Sequence, residues 1–264
     1  HYLHRRQRQM CIRDRLNAFK FRSIGPAFMS GRIADIAIDP KNENVWYVAV
    51  GSGGVWKTEN SGTTWTPLAD NMPFYSTGCI TIDPHNNASI WLGTGENVGG
   101  RHVGIGHGVY HSKDGGKSWK DMGLKKSEHI SKIIVHPDDP NTVWVASQGP
   151  LWSPGGERGL FKTTNGGKTW KNTLDINEWT GVTDLVIDPN NPNILYAASW
   201  QKHRNVAALI GGGPGTSLYK SVDGGDNWSK IDKGLPRSNK GKIGLAISPM
   251  QPNVLYAAVE LDKR

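Results

Sequence analysis

Cysteine is scarce in this sequence, since the 264 residues contain only two, Cys11 and Cys79. Two cysteines cannot form the disulfide framework of a small secreted domain, and Cys11 lies in an N-terminal stretch that we do not expect to be native. Apolar runs are short, so we expect neither membrane insertion nor a secretory signal peptide in this chain. The cysteines therefore do not define the compartment.

A clustered basic stripe, the usual footprint of nucleic-acid binding, is also missing. The formal charge is +8, but residues 1–15 (HYLHRRQRQMCIRDR) supply five arginines against one aspartate. This stretch shares neither the composition nor the periodicity of the rest of the chain, and we predict that it is a non-native leader. Without it the formal charge is +4 and the basic residues are scattered, so we expect no nucleic-acid partner.

An internal repeat dominates the remaining sequence. Its first element is an alternating apolar run, a polar turn that contains proline, and a second apolar run. Each copy predicts two short strands joined by a turn, with no room for a helix. The five copies are IADIAIDPKNENVWYVAV from Ile33, CITIDPHNNASIWLGT from Cys79, SKIIVHPDDPNTVWVAS from Ser131, TDLVIDPNNPNILYAAS from Thr183 and IGLAISPMQPNVLYAAV from Ile243.

A second element follows the first four copies and has the skeleton Ser/Thr, any residue, Asp/Asn, any residue, Gly, two residues, Trp. The short polar side chains can bond the backbone of their own turn, and glycine can adopt a positive φ there. We predict that the closing tryptophan packs between neighbouring sheets. The four sets are Thr58, Asn60, Gly62, Trp65; Ser112, Asp114, Gly116, Trp119; Thr163, Asn165, Gly167, Trp170; and Ser221, Asp223, Gly225, Trp228.

These four stretches resemble Asp boxes, also called BNR repeats, of sialidases, sortilin-type (VPS10) receptors and xyloglucanase-like glycosidases. The resemblance covers about residues 20–264 and is greatest to bacterial sortilin-like and glycosyl-hydrolase-like BNR-repeat proteins. Asn60 and Asn165 stand where the family has aspartate, which keeps the hydrogen bonding of the turn but removes a charge. The implied fold is an all-β propeller of four-stranded blades.

We predict one propeller domain over residues 16–264. The blades span about 30–74, 76–125, 128–177 and 181–236, and the first half of a fifth spans 241–264. About four and a half blades form only an incomplete ring. We therefore expect this chain to be a fragment of a longer protein whose remaining blades are its partners, because exposed sheet edges are otherwise sticky.

Candidate ligand-binding residues lie on the loops opposite the Asp boxes, where sialidase-like propellers carry their site. We expect Asp114 and Asp223, in the Asp boxes, to be structural. Three of the eleven tryptophans fall outside repeat positions, and loops over a rigid scaffold commonly bind ligands. The predicted binding residues are Arg101, His102, Trp152, Arg158, Trp179, Trp200 and Arg204. The alternatives are that the tryptophans cap the blades and that the arginines form salt bridges to Glu96, Glu157 or Glu178.

Glycoside hydrolysis needs two carboxyl groups about 5 to 9.5 Å apart. The catalytic candidates are Glu96 and Glu157 on loops, with Asp35 and Asp184 at equivalent positions of two inner strands. Lys132 occupies that inner position in another blade, and we expect an ion-pair network between it and the two aspartates. Ser52 stands where xyloglucanases carry an aspartate before the third strand of the first blade, which argues against that activity.

Three histidines lie within ten residues but lack a carboxylate or cysteine at a ligand-like interval, so we predict no metal and no cofactor. The three are His102, His107 and His111. His111 falls at the repeat position of three lysines, Lys57, Lys162 and Lys220, and we expect it to face solvent.

The resemblance implies an extracytoplasmic bacterial protein, periplasmic or secreted. Its propeller would bind a peptide, protein or glycan ligand. The alternative is a sialidase-like or xyloglucanase-like glycoside hydrolase with its carboxylate pair on the face opposite the Asp boxes.

Overall fold

The structure is a computed structural model that describes residues 32–100 and 103–261. Within these ranges the regular elements are strands, apart from one 3₁₀ turn at Lys125–Ser127. No helix in the described ranges is long and apolar enough to cross a membrane.

Four antiparallel sheets of four strands follow one another along the chain, each a propeller blade. Blade 1 contains β1 (Ile33–Asp39), β2 (Asn42–Val50), β3 (Gly54–Thr58) and β4 (Thr66–Pro67). Blade 2 contains β5 (Thr77–Asp83), β6 (Asn86–Thr94), β7 (Val109–Ser112) and β8 (Lys120–Asp121). Blade 3 contains β9 (Ile130–His136), β10 (Asp139–Ser147), β11 (Gly159–Thr163) and β12 (Lys171–Leu174).

Blade 4 carries an insertion between its second and third strands. Its sheet contains β13 (Thr180–Asp188), β14 (Asn191–Gln201), β17 (Leu218–Ser221) and β18 (Ser229–Ile231), and the inserted hairpin is β15 (His203–Arg204) with β16 (Leu209–Ile210). A two-stranded sheet follows, β19 (Lys240–Ser248) with β20 (Gln251–Leu261). The predicted fold class, an all-β propeller present as an incomplete ring, is confirmed.

Apolar side chains fill the space between adjacent blades. Trp91 of blade 2 packs in one cluster with Ile133 and Val145 of blade 3. Trp144 of blade 3 packs in the next cluster with Leu185 of blade 4. Because burial of apolar area drives this association at about 25 cal/mol per Å², the blades stabilise one another rather than folding as independent units.

The four repeated turns share one set of hydrogen bonds. In blade 2, Ser112 Oγ accepts from Gly116 N at 2.8 Å and donates to Asp114 Oδ1 at 2.8 Å, and the same carboxylate oxygen accepts from Ser118 N at 2.8 Å. Hydrogen bonds from Ser118 and the turn lower the pKa of Asp114 to about 2. The carboxylate is thus occupied by its own turn.

The glycine and tryptophan of these turns contact the preceding blade. Gly225 has a φ of +82°, and a Cβ there would lie 2.7 Å from Trp144 Nε1, so no side chain fits. Trp170 Nε1 donates to Met122 O at 2.7 Å, which ties blade 3 to blade 2. Trp65 remains 40% exposed because no blade precedes it among the described residues.

Candidate functional site

The loop between β6 and β7 connects the blades at the end opposite the repeated turns. Its Asn97 Oδ1 accepts from Lys242 Nζ of β19 at 2.9 Å and also from Gln148 Nε2, which follows β10. Val98 O, one residue further, accepts from Lys202 Nζ at 3.4 Å. One short segment of blade 2 therefore contacts residues from blades 3 and 4 and from the β19–β20 sheet.

Two lysines flank the indole of Trp200 at this point. The Nζ atoms of Lys202 and Lys242 lie 4.7 and 5.6 Å from the ring centroid, within cation–π range. Lys202 is only 2% exposed, and its Nζ donates to Gln148 Oε1 at 2.8 Å. Neither lysine has a carboxylate oxygen within 4 Å in the described ranges.

Burial is the main cause of the pKa values of these lysines, and for Lys242 the charges of Asp184 and Glu260 oppose it. Burial first, and then the positive charges of Lys242 and Arg158, lower the pKa of Lys202 to about 7. Burial also lowers the pKa of Lys242. His129 adds a buried Nδ1 without a hydrogen-bond partner, and burial together with Lys202 lowers its pKa to about 3. We call Asn97, Gln148, Trp200, Lys202 and Lys242 the lysine cluster.

A second group of predicted residues meets at the junction of blades 3 and 4. The guanidinium of Arg204 lies 5.8 Å from the ring centroid of Trp152, and that of Arg158 lies 5.9 Å from the ring of Trp179. Trp152 is 49% exposed, whereas Trp179 is half-buried and its ring also packs on the ring of His203, with centroids 4.0 Å apart. The structure brings these predicted residues together in tryptophan–arginine pairs, a contact that the sequence analysis did not predict.

The two predicted arginines that the structure describes, Arg158 and Arg204, are buried. Arg158 is buried, and its guanidinium donates to the carbonyl oxygens of Gln148, Gly155 and Ser153 at 2.8 Å each, and to that of Pro150. A guanidinium has five donors, and these bonds fix the loop rather than a ligand. Of the alternative salt bridges between these arginines and Glu96, Glu157 or Glu178, Arg158 and Arg204 form none within 4 Å. Glu96 Oε1 instead pairs with Arg32 Nη2 at 2.6 Å.

Trp200 differs from its predicted position. It belongs to β14 and is buried, and its Nε1 donates to Gly211 O at 2.8 Å. Its place outside the repeat predicts a loop, but β14 runs longer than the equivalent strands of blades 1–3. Arg101 and His102, also predicted to bind ligand, lie outside the described residues.

The predicted catalytic glutamates are engaged in structural contacts. Glu96 is buried, and besides its ion pair its Oε2 accepts from Gly104 N at 2.8 Å. Glu157 Oε2 accepts from the backbone N–H of Lys126 at 2.7 Å. Each carboxylate thus holds a loop in place.

The predicted inner aspartates connect neighbouring blades. Asp35 Oδ2 accepts from Ile80 N of blade 2 at 3.1 Å, and Asp184 Oδ2 accepts from Leu245 N of β19 at 2.8 Å. Both line one cleft of about 290 Å³ together with Lys132. The expected ion-pair network is wrong, because no carboxylate of the described chain lies within 4 Å of Lys132 and the aspartates bond backbone amides instead.

His111 is a further correction. Its ring stacks on Trp91 with centroids 4.1 Å apart and planes 12° apart, so it is half-buried rather than fully exposed to solvent. Burial, followed by the charge of Lys113, lowers its pKa to about 4. Among the residues that the structure describes, no group of three or more His, Cys, Asp or Glu side chains could hold a metal ion.

Sequence reasoning did not find the lysine cluster. Lys202 and Lys242 are single lysines on different blades, and neither falls in a motif. The signal present was that Lys202 follows an off-repeat tryptophan by two residues, but the sequence could not show that both lysines share one indole.

Taken together, the fold and these contacts define a propeller with a polar, lysine-containing cluster at the end opposite its repeated turns. A profile of the Sortilin-Vps10 family, described as sortilin, neurotensin receptor 3, matches residues 107–248, more than half of the chain. The chain belongs to this family.

The chain is also similar to glycoside hydrolases. It is 23% identical over 235 residues to a probable oligoxyloglucan-reducing end-specific xyloglucanase of Neosartorya fischeri, covering 81% of this chain and 25% of that protein. It is 25% identical over 229 residues to a xyloglucanase of Hypocrea jecorina, covering 77% of this chain and 26% of that protein. The chain thus spans about a quarter of the length of these relatives.

Among solved structures, an ancestral GH74 enzyme superposes with a TM-score of 0.68 at 24% identity. The superposition covers 92% of this chain and 30% of that enzyme. This likeness supports the propeller fold.

Proposed function

We propose that this chain is part of an extracytoplasmic propeller that binds a peptide, protein or glycan ligand at the end opposite the repeated turns. The observation that carries the proposal is the lysine cluster, in which two buried or half-buried lysines share one indole and neither forms an ion pair within 4 Å in the described ranges. Burying an ammonium group without an anionic partner is costly, and sites that tolerate this cost are commonly functional. An acidic group on the ligand would form an ion pair with Lys242, which lines the inner cleft.

The exposed ring of Trp152 and the half-buried ring of Trp179 extend this surface. Aromatic rings over a rigid scaffold provide contact area for sugar rings or peptide side chains at low entropic cost. The buried guanidinium groups beneath them keep the rings in place through cation–π contacts. We therefore assign recognition to the tryptophans and Lys242, and a supporting role to Arg158 and Arg204.

The test is binding of defined probes to the full parent protein. We would compare peptides that carry a free C-terminal carboxylate with their amides, and oligogalacturonates with neutral xyloglucan oligosaccharides, by biolayer interferometry. The proposal expects preference for the acidic member of at least one pair and at least tenfold weaker binding in Lys242→Met. Lys220→Met is the matched control, because its ammonium also lies over an aromatic ring, 5.4 Å from that of Tyr196, but on β17. Equal binding by both variants would refute the proposal.

A glycoside hydrolase is the second candidate, favoured by the xyloglucanase relatives. Asp35 and Asp184 are the predicted acids that share a cleft, although each already accepts backbone N–H groups. Hydrolysis of xyloglucan and sialosides would be measured with Glu96→Gln, Glu157→Gln, Asp35→Asn and Asp184→Asn. Turnover that one substitution abolishes in a folded protein supports the enzyme. Absence of turnover in the folded parent protein removes this candidate.

The extracytoplasmic location rests on the family resemblance. Fractionation of cells that express the parent gene would test it. Recovery of the protein in the cytoplasmic fraction would contradict this part of the proposal.

A further inference from the structure

A groove of about 650 Å³ opens between blades 2 and 3, at the end that carries the repeated turns and away from the lysine cluster. Trp91, His111, Met122 and Pro140 contribute to its walls. Three lysines also line it, Lys113, Lys120 and Lys168. None of these lysines has a carboxylate oxygen within 4 Å in residues 32–100 and 103–261.

The next junction, between blades 3 and 4, shows what this position contains elsewhere in the repeat. There Lys162 Nζ forms an ion pair with Asp226 Oδ1 at 3.0 Å. Trp144 Nε1 donates to Gly224 O at 3.0 Å. Both the positive charge and the indole N–H of this junction are thus satisfied within the protein.

At the groove, the equivalent residues are different and form no such ion pair within the described residues. Trp91 pairs with His111 in the sheet as Trp144 pairs with Lys162. Lys168 follows the two glycines of its turn where Asp226 follows those of the next turn. Trp91 is 1% exposed, and its Nε1 has no hydrogen-bond partner. A carboxylate at one junction is therefore replaced by an ammonium group at the other.

The single acid of the groove wall does not balance this charge. Asp83 Oδ1 accepts from His85 N at 2.9 Å, and its Oδ2 accepts from Ser89 Oγ at 3.0 Å. The same hydroxyl lies 2.8 Å from His111 Nε2. Because burial lowers the pKa of His111 to about 4, its imidazole is neutral at pH 7. The groove therefore has the three ammonium groups of its lysines and a single carboxylate, that of Asp83, so its net charge is positive.

We propose that this groove binds the phosphate or sulfate group of a small organic ligand. The oxyanion accepts from Lys168 Nζ, and Trp91 lines the same groove. Lys113 and Lys120 add charge that suits a dianion, since charge-assisted hydrogen bonds are the stronger class. The groove volume exceeds that of an inorganic oxyanion, and Met122 and Pro140 give an apolar wall for the organic part.

The experiment follows the indole N–H resonance of Trp91 in ¹H–¹⁵N spectra, assigned with Trp91→Phe. Inorganic phosphate, inorganic sulfate, glucose 6-phosphate and glucose are titrated at constant ionic strength set with sodium chloride. The proposal expects a saturable shift with the oxyanions, at least tenfold tighter for glucose 6-phosphate, and none with glucose. The phosphate and sulfate arms show which group is preferred.

Two variants make the test specific. Lys168→Asp places a carboxylate where Asp226 stands in the next repeat, and it should abolish the shift, while Lys168→Met should weaken binding at least fivefold. Lys168 is exposed, so both variants should melt within a few degrees of the parent. Lys233→Met, an exposed lysine after β18, is the control and should bind normally. A shift that grows linearly with any salt, or that survives in Lys168→Asp, would overturn the proposal.

Discussion

Replacing Lys202 with methionine should show that burial of its ammonium group lowers the free energy of unfolding. The pKa of this lysine falls from 10.5 to about 7, chiefly through burial. The unfolded chain therefore holds more protons on this residue than the folded chain between pH 7 and 10.5, and the free energy of unfolding rises with pH across that window. Below pH 7 Lys202 is charged in both states, so the free energy of unfolding is lowered by the full amount.

The size of the effect follows from the same values. A fall in pKa from 10.5 to about 7 corresponds to about 5 kcal/mol of proton linkage. Methionine has no titratable group, so Lys202→Met removes this pH dependence and keeps most of the packing against Trp200. It also leaves Gln148 Oε1 without its 2.8 Å donor, which costs about 1 to 3 kcal/mol at every pH.

The assay is urea unfolding of the parent and of Lys202→Met between pH 6.5 and 9.5. The variant should gain stability relative to the parent as the pH falls, by about 3 kcal/mol over this range. Lys220→Met, which lies half-buried on β17, serves as the control for losing a lysine. Parallel curves for parent and Lys202→Met would refute the reasoning, because they would mean that Lys202 is solvated in the folded protein.

Three further predictions concern the contacts between blades and the loss of stability at low pH. Asp184→Ala removes the 2.8 Å bond to Leu245 N and should lower the free energy of unfolding by about 1 to 3 kcal/mol, with faster hydrogen exchange of that amide. Trp170→Ala removes the contact between blades 3 and 2 and should cost about 3 to 5 kcal/mol by urea titration, whereas a loss below about 1 kcal/mol would contradict its packing role. The pKa of His129 is lowered to about 3, so as the pH falls below 6.5 the unfolded state binds this proton first and the free energy of unfolding decreases. His129→Phe should reduce this decrease between pH 6.5 and 4, and an unchanged decrease would exclude His129 as its cause.

The repeat pattern predicted the strands because its period is local. The alternating run from Ile33 forms β1 and β2, and the glycines after each hydroxyl residue form the turns, since the turn chemistry lies within a few neighbouring residues. The site was less accessible to this reasoning. Arg158 looked like a ligand-binding arginine in the sequence, but only the folded loop shows four carbonyl oxygens around its guanidinium.

By itself the sequence determined the all-β class, the four complete blades and the positions of the repeated turns, because periodicity, glycine and hydroxyl spacing act over short distances. Tertiary structure alone decided how charges are matched between blades. Asp35 bonds Ile80 rather than Lys132, and Lys202 and Lys242 share Trp200, since these contacts join different blades. The physical reason is that burial and hydrogen bonding depend on which blades meet, and a linear pattern does not contain that information.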